Sequence, residues 1–157
     1  MIIRPYRPDD WVAICELHDA SRLYELRCSV GEDAFLTLAE TGENEGLFDG
    51  SLDVLEDNDS IVGFVGYSTD EMTWLYVHPD HFGKGYGRHL LRHAIAVTGP
   101  VLRTEALEGN VAAAALYQSE GFVFSERVAG KLVGNESFAA VGLTFERRKQ
   151  DVSLCRA

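Results

Sequence analysis

One short segment of this chain, residues 81–88, carries the residue types that bind phosphate groups. It lies between a strand-like run and a helix-like run, where unpaired backbone N–H groups and the helix dipole favour an anion. Three glycines let the backbone approach a ligand closely: Gly83, Gly85 and Gly87. Two side chains, Lys84 and Arg88, add positive charge. The segment therefore predicts a phosphate-binding loop.

The spacing within this loop separates it from two common nucleotide-binding motifs. A P-loop needs Ser or Thr directly after its lysine, and here Gly85 follows Lys84. The dinucleotide fingerprint needs a third glycine at the place that Arg88 occupies. ATP and NAD are therefore unfavoured as ligands.

Four histidines near the loop have spacings that metal sites also use: His78, His81, His89 and His93. The first pair straddles Pro79 in a turn. The second pair flanks the apolar stripe of a predicted helix, where we expect both side chains to face solvent or a bound phosphate. We therefore expect no metal site.

The elements that position this loop begin with two helical patterns. Apolar residues at helical spacing predict a first helix from about Asp9 to Ala20. A second, short pattern contains Ala34, Phe35, Leu38 and Ala39 and ends at Thr41-Gly42, where glycine suits a C-terminal cap. The stretch from Glu43 to Ser51 is typical of a loop because it is rich in Gly, Asn and acidic residues.

Three strand-like runs follow. Leu52–Glu56 and Ile61–Tyr67 flank the turn residues 57–60, which predicts an antiparallel hairpin. The third run, Met72–Val77, ends at His78-Pro79 and leads into the glycine loop.

The second half of the chain alternates helices and strands. A helix from Arg88 to about Thr98 is followed by a strand at Val101–Ala106, and this crossover implies that the strand lies parallel to Met72–Val77. A helix at Asn110–Glu120 is capped by Asn110 and by Gly121. Two last strands, Phe122–Val128 and Glu136–Glu146, enclose Gly130 and residues 134–135. We expect one α/β domain at 1–150, a mixed sheet covered by helices, and a tail at 151–157.

Composition restricts the partners of this domain. The formal net charge of -11 disfavours nucleic acid and anionic membranes, whereas it accommodates a cationic partner. Acidic residues crowd residues 40–59, where some could attract an amine to the mouth of a site. No apolar run is long enough for a signal peptide or a membrane span, so we expect a soluble cytoplasmic protein. The three cysteines, Cys15, Cys28 and Cys155, form no C-x-x-C pair and fit a reducing compartment.

Two motifs resemble those of GNAT acetyltransferases. Residues 75–79 and 83–91 are similar to that family's pyrophosphate-binding motif, Gln/Arg-x-x-Gly-x-Gly/Ala, which Gly85 and Gly87 match. Phe82 stands where the family prefers Gln or Arg, so one side-chain contact is missing while the backbone amides of the loop remain. Downstream, the pattern Asn110-x-x-Ala113-x-x-Leu116-Tyr117-x-x-x-Gly121-Phe122 resembles the family's C-terminal helix and strand.

The resemblance implies a GNAT fold, with a mostly antiparallel sheet and a splayed parallel strand pair whose gap holds the pantetheine of acetyl-coenzyme A. A bulge in the strand at Met72–Val77 would open this gap, and the backbone N–H of Val77 would polarise the thioester carbonyl. The residues implied in coenzyme binding are Leu75, Tyr76, Val77, Gly83, Lys84, Gly85, Tyr86, Gly87, Arg88 and Asn110.

The same resemblance implies an N-acetyltransferase in which an amine attacks the thioester directly. Tyr117 stands where the family has the general acid that protonates the thiolate, although a tyrosine packed on the helix face is the alternative. Glu105 corresponds to a general base of some members, and a solvent-facing strand residue is equally consistent. Asp70, Glu71 or a water-mediated route are further choices for the base.

The acceptor amine and the acyl chain length stay open, because residues 21–59 carry no readable motif. The acidity of this region favours a cationic acceptor, such as a polyamine, an aminoglycoside, a lysine or a peptide N-terminus. A homodimer is one expectation for the assembly, since dimers are common in this family. The alternative to an enzyme is a non-catalytic acyl-coenzyme A-binding module with a regulatory or assembly role.

Overall fold

A seven-stranded mixed sheet in the order β1-β2-β3-β4-β5-β7-β6 organises the computed structural model, which describes residues 1–150. The strands are Ile2–Pro5 (β1), Ser51–Asp57 (β2), Ser60–Tyr67 (β3), Glu71–Val77 (β4), Val101–Leu107 (β5), Val123–Lys131 (β6) and Ala139–Arg148 (β7). The helices are Trp11–Arg27 (α1), Leu38–Thr41 (α2), Tyr86–Val97 (α3) and Val111–Ser119 (α4). The predicted tail and Cys155 lie outside the described residues.

The sheet lies between two helical layers because its strands alternate apolar residues between faces. Val54 and Phe64 pack with α1 and α2 on one face, whereas Leu55 and Val65 pack with α3 and α4 on the other. The apolar stripe of α3 supplies Leu90, Leu91 and Ala94, all fully buried. None of the helices within residues 1–150 has the length and hydropathy that a membrane span requires.

The predicted hairpin of β2 and β3 is confirmed as an antiparallel pair. Its turn places Asn58 and Asp59 at positive φ, 49° and 60°. Asn and Asp tolerate this left-handed region better than most residues, which explains the tight connection.

The parallel arrangement of β4 and β5 is confirmed, but the two strands pair at only two positions, Glu71 with Arg103 and Met72 with Thr104. The Thr104 hydroxyl donates to the Met72 carbonyl at 2.9 Å and closes this short ladder. Beyond it, Thr73 is an extra residue in the β3–β4 register, because Tyr67 pairs with Met72 and Gly66 with Trp74. The bulge bends β4 away from β5, so the predicted splayed pair is present.

The predicted end of the first helix at Ala20 is wrong, because α1 continues to Arg27. The added turns bury Ser21 and Leu26, and burial of this face sustains the helix beyond the apolar pattern of its first half. The predicted second helix is also different: Ala34 ends a 3₁₀ helix at Glu32–Ala34, and α2 starts only at Leu38.

Three strand assignments also need correction. Strand β1 was not predicted, since four residues that include Pro5 carry little pattern; it pairs with β2 at the edge of the sheet. Gly130 lies inside β6, not in the connection. Strand β7 begins at Ala139, because residues 132–138 form the turn before it.

Candidate active site

A cavity of about 1010 Å³ opens where β4 and β5 diverge. Its walls come from β4, β5, the glycine loop, α4 and the second half of α1. It brings together most of the sequence-predicted site residues, whereas Lys84, Asp70 and Glu71 lie outside its lining. The predicted residues that line it are Leu75, Tyr76, Val77, Gly83, Gly85, Tyr86, Gly87, Arg88, Glu105, Asn110 and Tyr117. We call this space the large cavity.

The glycine loop forms one end of the large cavity. Gly83 and Gly85 have φ of 76° and 87°, a conformation that side chains disfavour, and Gly85 is the N-cap of α3. The first N–H groups of α3 have no partner within the helix and are therefore free to bind an anion. The local geometry thus fits a phosphate at the position that the spacing predicts.

The two basic residues of the loop are placed differently. Lys84 lies outside the cavity lining, with its Nζ 3.1 Å from His81 Nδ1. Arg88 lines the cavity, donates to the Ser119 hydroxyl at 3.0 Å and forms an ion pair with Glu120. Because Glu120 already neutralises much of this charge, the backbone N–H groups are the stronger anion donors in the loop.

The free edge of β4 supplies one more donor. His78 N donates to the Val62 carbonyl on β3 at 3.0 Å. Backbone N–H groups alternate in direction along a strand, so the Val77 N–H points away from β3, toward the gap beside β5. No β5 residue pairs with Val77, which leaves this N–H available to an acceptor in the cavity.

Tyr117 lies on α4 with 5% of its surface exposed, and it lines the large cavity beside Thr104. Its ring packs against Phe122 and edge-on against Phe145, with centroids 5.8 and 5.7 Å apart. Burial raises the pKa of Tyr117 to about 12, and the neighbouring Thr104 hydroxyl opposes this shift. The phenol therefore stays protonated in the physiological range, as a proton donor requires.

A second cavity of about 500 Å³, which we call the small cavity, adjoins the first across the diverging strands. Five residues line both cavities: Glu25, Thr73, Tyr76, Glu105 and Ala106. The small cavity also contacts the apolar side chains of Met72, Trp74 and Leu107. The two spaces thus meet at the gap in the sheet.

Glu105 lies at this meeting point, on β5. Burial raises the pKa of its carboxyl group, and the negative charge of Glu71 raises it further. Gly142 on β7 leaves room for the carboxylate, since a Cβ there would lie 2.5 Å from Glu105 Oε1. Of the other candidates for the base, Glu71 lines the small cavity, whereas Asp70 lines neither cavity and faces Ser68 and Arg103.

Asn110 is confirmed as the N-cap of α4, with its Oδ1 accepting from Ala113 N at 3.2 Å. Its Nδ2 lies 3.5 Å from Glu25 Oε1 on α1. The side chain thus joins the helix cap to the wall of the large cavity.

Replacing Asn110 with alanine is expected to lower the free energy of unfolding by about 1 kcal/mol, because the cap bond is lost. The melting temperature should fall by about 2–4 °C, the usual response of a chain of this size. Thermal unfolding followed by circular dichroism measures this change. Asn110→Ser, which retains a capping oxygen, is the control and should recover most of the loss; equal losses in both variants would contradict the cap.

The predicted surroundings of the histidines are corrected for His93, whose Nε2 lies 2.7 Å from Asp53 Oδ2. The Tyr67 hydroxyl donates to the same oxygen at 2.7 Å, so the partly buried His93 side chain joins α3 to the sheet. His89 is exposed, as expected. Within residues 1–150, no group of three His, Cys, Asp or Glu side chains is arranged to hold a metal ion.

Sequence reasoning missed the contribution of α1, because the predicted helix ended too early. Ser21, Tyr24, Glu25 and Cys28 line the large cavity from one face of this helix. Their spacing of three, four and seven residues is a helical signal that was present in the sequence. Tyr24 also meets Phe82 edge-on, with ring centroids 5.2 Å apart, so Phe82 holds the glycine loop against α1.

Comparisons with known proteins agree with this geometry. A family model described as an acetyltransferase (GNAT) domain matches residues 48–124, which contain β4, the glycine loop, β5 and Tyr117. Over 71 residues the chain is 35% identical to the peptidyl-lysine N-acetyltransferase YjaB of Salmonella typhimurium. The matched segment covers 45% of this chain and spans about half, 48%, of that curated relative.

Two solved structures share the fold over nearly the whole chain. A GCN5-related N-acetyltransferase from Rhodopseudomonas palustris has a TM-score of 0.75 at 21% identity and covers 94% of both chains. The structure of yncA from Salmonella typhimurium with its cofactor acetyl-CoA has a TM-score of 0.70 at 23% identity, over 96% of this chain and 95% of that one. The fold, the order of the motifs and the matching family domain together establish that this chain belongs to the GNAT acetyltransferase superfamily.

Proposed function

We propose that this protein is an N-acetyltransferase that moves the acetyl group of acetyl-coenzyme A to a primary amine. The observation that carries the proposal is the gap between β4 and β5, which joins a cavity ending at the glycine loop to a second cavity whose lining includes four glutamates, Glu25, Glu45, Glu71 and Glu105. A reaction between two substrates that meet in a ternary complex needs two such spaces and one opening between them.

The residues of the large cavity fit the coenzyme in three places. The glycine loop and the first turn of α3 would hold its diphosphate through backbone N–H groups. The free edge of β4, with Leu75, Tyr76 and Val77, would lie along its pantetheine. Asn110 on α4 would contact it from the opposite wall. When bound, acetyl-coenzyme A supplies the activated acyl group of the reaction.

Three groups of the chain would divide the chemistry. The Val77 N–H stabilises the negative charge that develops on the carbonyl oxygen, which is the role of an oxyanion-hole donor. Glu105 accepts a proton from the amine, since its raised pKa makes it a stronger base than an exposed carboxylate. Tyr117 donates a proton to the departing thiolate and is protonated for that purpose.

The acceptor that we propose is the side chain of lysine, in a peptide or a protein. The net charge of -11 and the carboxylates of the small cavity favour a cationic amine. The curated relative from Salmonella typhimurium is named for peptidyl-lysine, although it matches less than half of this chain. We propose a cytoplasmic location for this protein, where it would draw on acetyl-coenzyme A as co-substrate.

The test is release of the free thiol from acetyl-coenzyme A, measured against a panel of amines. The panel pairs a lysine peptide blocked at its N-terminus with a lysine-free peptide that keeps its α-amine, and adds a polyamine. Turnover of the blocked lysine peptide is expected. Coenzyme binding without turnover of any amine would overturn the catalytic proposal in favour of a binding module, and absence of coenzyme binding would overturn both.

A further inference from the structure

Glu25 on α1 occupies the point where the large and small cavities meet, since it lines both. Only 15% of its side chain is exposed. The carboxylate lies among residues of three different elements: Arg22 on its own helix, Tyr76 on β4 and Asn110 at the start of α4. An acceptor that reaches the gap from the small cavity must pass this group.

The two oxygens of Glu25 are engaged unequally. Oε2 accepts from Arg22 Nη1 at 2.7 Å and from the Tyr76 hydroxyl at 3.3 Å. Among residues 1–150, Oε1 has only the long contact of 3.5 Å with Asn110 Nδ2. Because each carboxylate oxygen accepts about two hydrogen bonds, Oε1 retains capacity for a further donor. The bonds to Oε2 meanwhile hold the carboxylate in one orientation.

The ion pair with Arg22 does not by itself explain a carboxylate at this place. Arg22 is as little exposed as Glu25, 15%, and such pairs add little net stability because desolvation offsets their attraction. Removing one partner, in contrast, leaves a buried charge without compensation. The main effect of the ion pair is therefore to hold a carboxylate oxygen where the two cavities meet, and its contribution to folding stability is small.

The small cavity also suits the rest of a linear amine. Its apolar wall, which includes Met72, Trp74 and Leu107, would contact an alkyl chain, and Glu25 lies where that chain would end. A primary ammonium at the end of an unbranched chain has three donors, so it can bond Oε1 of Glu25 while another N–H faces Glu105. A neutral or anionic group would leave the carboxylate without a partner in a confined space.

We propose that Glu25 is the residue that selects a primary alkylammonium acceptor and orients its nitrogen toward the gap between β4 and β5. This inference rests on the proposed acetyltransferase function and adds the group that recognises the acceptor. Glu25 forms no covalent bond and takes no proton in the reaction. Proton acceptance belongs to Glu105, and the two glutamates therefore affect different kinetic constants.

The experiment is steady-state kinetics of the full chain with the blocked lysine peptide and acetyl-coenzyme A, for the wild type and Glu25→Gln. We expect the KM for the peptide to rise about tenfold or more, as the loss of a hydrogen bond to a charged group would cause. The value of kcat should stay within about threefold, and the KM for acetyl-coenzyme A should not change. Glu25→Asp, which keeps the charge, should recover part of the loss.

Two further variants keep this test decisive. Glu16 is an exposed glutamate of the same helix that lines neither cavity, so Glu16→Gln is the matched control and should behave as the wild type. If Glu25→Gln unfolds because Arg22 is left unpaired, the double variant Arg22→Gln with Glu25→Gln removes both charges and should show the same rise in KM.

The outcomes separate this inference from the proposed function. Wild-type turnover with an unchanged peptide KM in Glu25→Gln, or with a fall in kcat alone, would overturn the role of Glu25 and leave the acetyltransferase proposal intact. No turnover of any amine by the wild type would reject the proposed function, and the inference with it.

Discussion

Tyr117→Phe is expected to lower kcat about 100-fold, the usual contribution of a positioned general acid. The ring of Tyr117 packs between Phe122 and Phe145, and phenylalanine preserves those contacts while it removes the hydroxyl. The dissociation constant of acetyl-coenzyme A should therefore stay within about twofold, which calorimetry can measure beside the kinetics.

The control for this variant is Tyr67→Phe. Tyr67 lies on β3, donates its hydroxyl hydrogen to Asp53 and lines neither cavity. It should retain wild-type kcat. Because burial raises the pKa of Tyr117 to about 12, the wild-type rate should also show no fall due to this residue up to about pH 10. Equal kcat in wild type and Tyr117→Phe would show that the thiolate leaves without this acid.

Glu105→Gln is expected to lower kcat/KM about 100-fold and to remove one ascending limb from its pH profile. A general base acts only when it is deprotonated, so activity rises with pH through the pKa of Glu105. Burial and Glu71 raise this pKa, which places the limb above that of an ordinary glutamate. The deprotonation of the lysine acceptor, near pH 10, adds a second limb that all variants share.

The variant Glu71→Gln tests the direction in which Glu71 shifts the pKa of Glu105. Removing the negative neighbour lowers the pKa of Glu105, so the limb should move to lower pH while the maximal rate is kept. Measuring kcat/KM against pH for the wild type and both variants shows whether Glu105 or Glu71 is the general base. A limb that persists in Glu105→Gln and disappears in Glu71→Gln would assign proton acceptance to Glu71.

The strongly patterned parts of the chain could be predicted from sequence. The β2–β3 hairpin, α3, the parallel β5 and the Asn110 cap follow from alternation, helical spacing and capping residues, and all are present. The glycine loop was recognisable for the same reason, since positive φ at Gly83 and Gly85 requires a particular residue type.

The parts that depend on tertiary contacts could not be predicted. The end of α1 is set by burial of Ser21 and Leu26 against other elements, and the sequence pattern alone stops earlier. Edge strand β1 is too short to have a period of its own. The meeting of Glu25 with Tyr76 and Asn110 joins residues 51 and 85 positions apart, a relation that no local spacing contains.

The two-residue ladder between β4 and β5 also has a consequence for folding stability. It divides the sheet into a four-stranded and a three-stranded part, β1–β4 and β5–β7, with few backbone hydrogen bonds between them. A ligand that fills the gap and contacts both parts would bind only when they are assembled, so its binding free energy would add to the free energy that holds them together. At 100 times its dissociation constant, such a ligand contributes about 2.7 kcal/mol. Occupancy of the gap and resistance to unfolding would thus be thermodynamically linked, and under the proposed function the coenzyme would bridge the two parts of the sheet where their backbone pairing is interrupted.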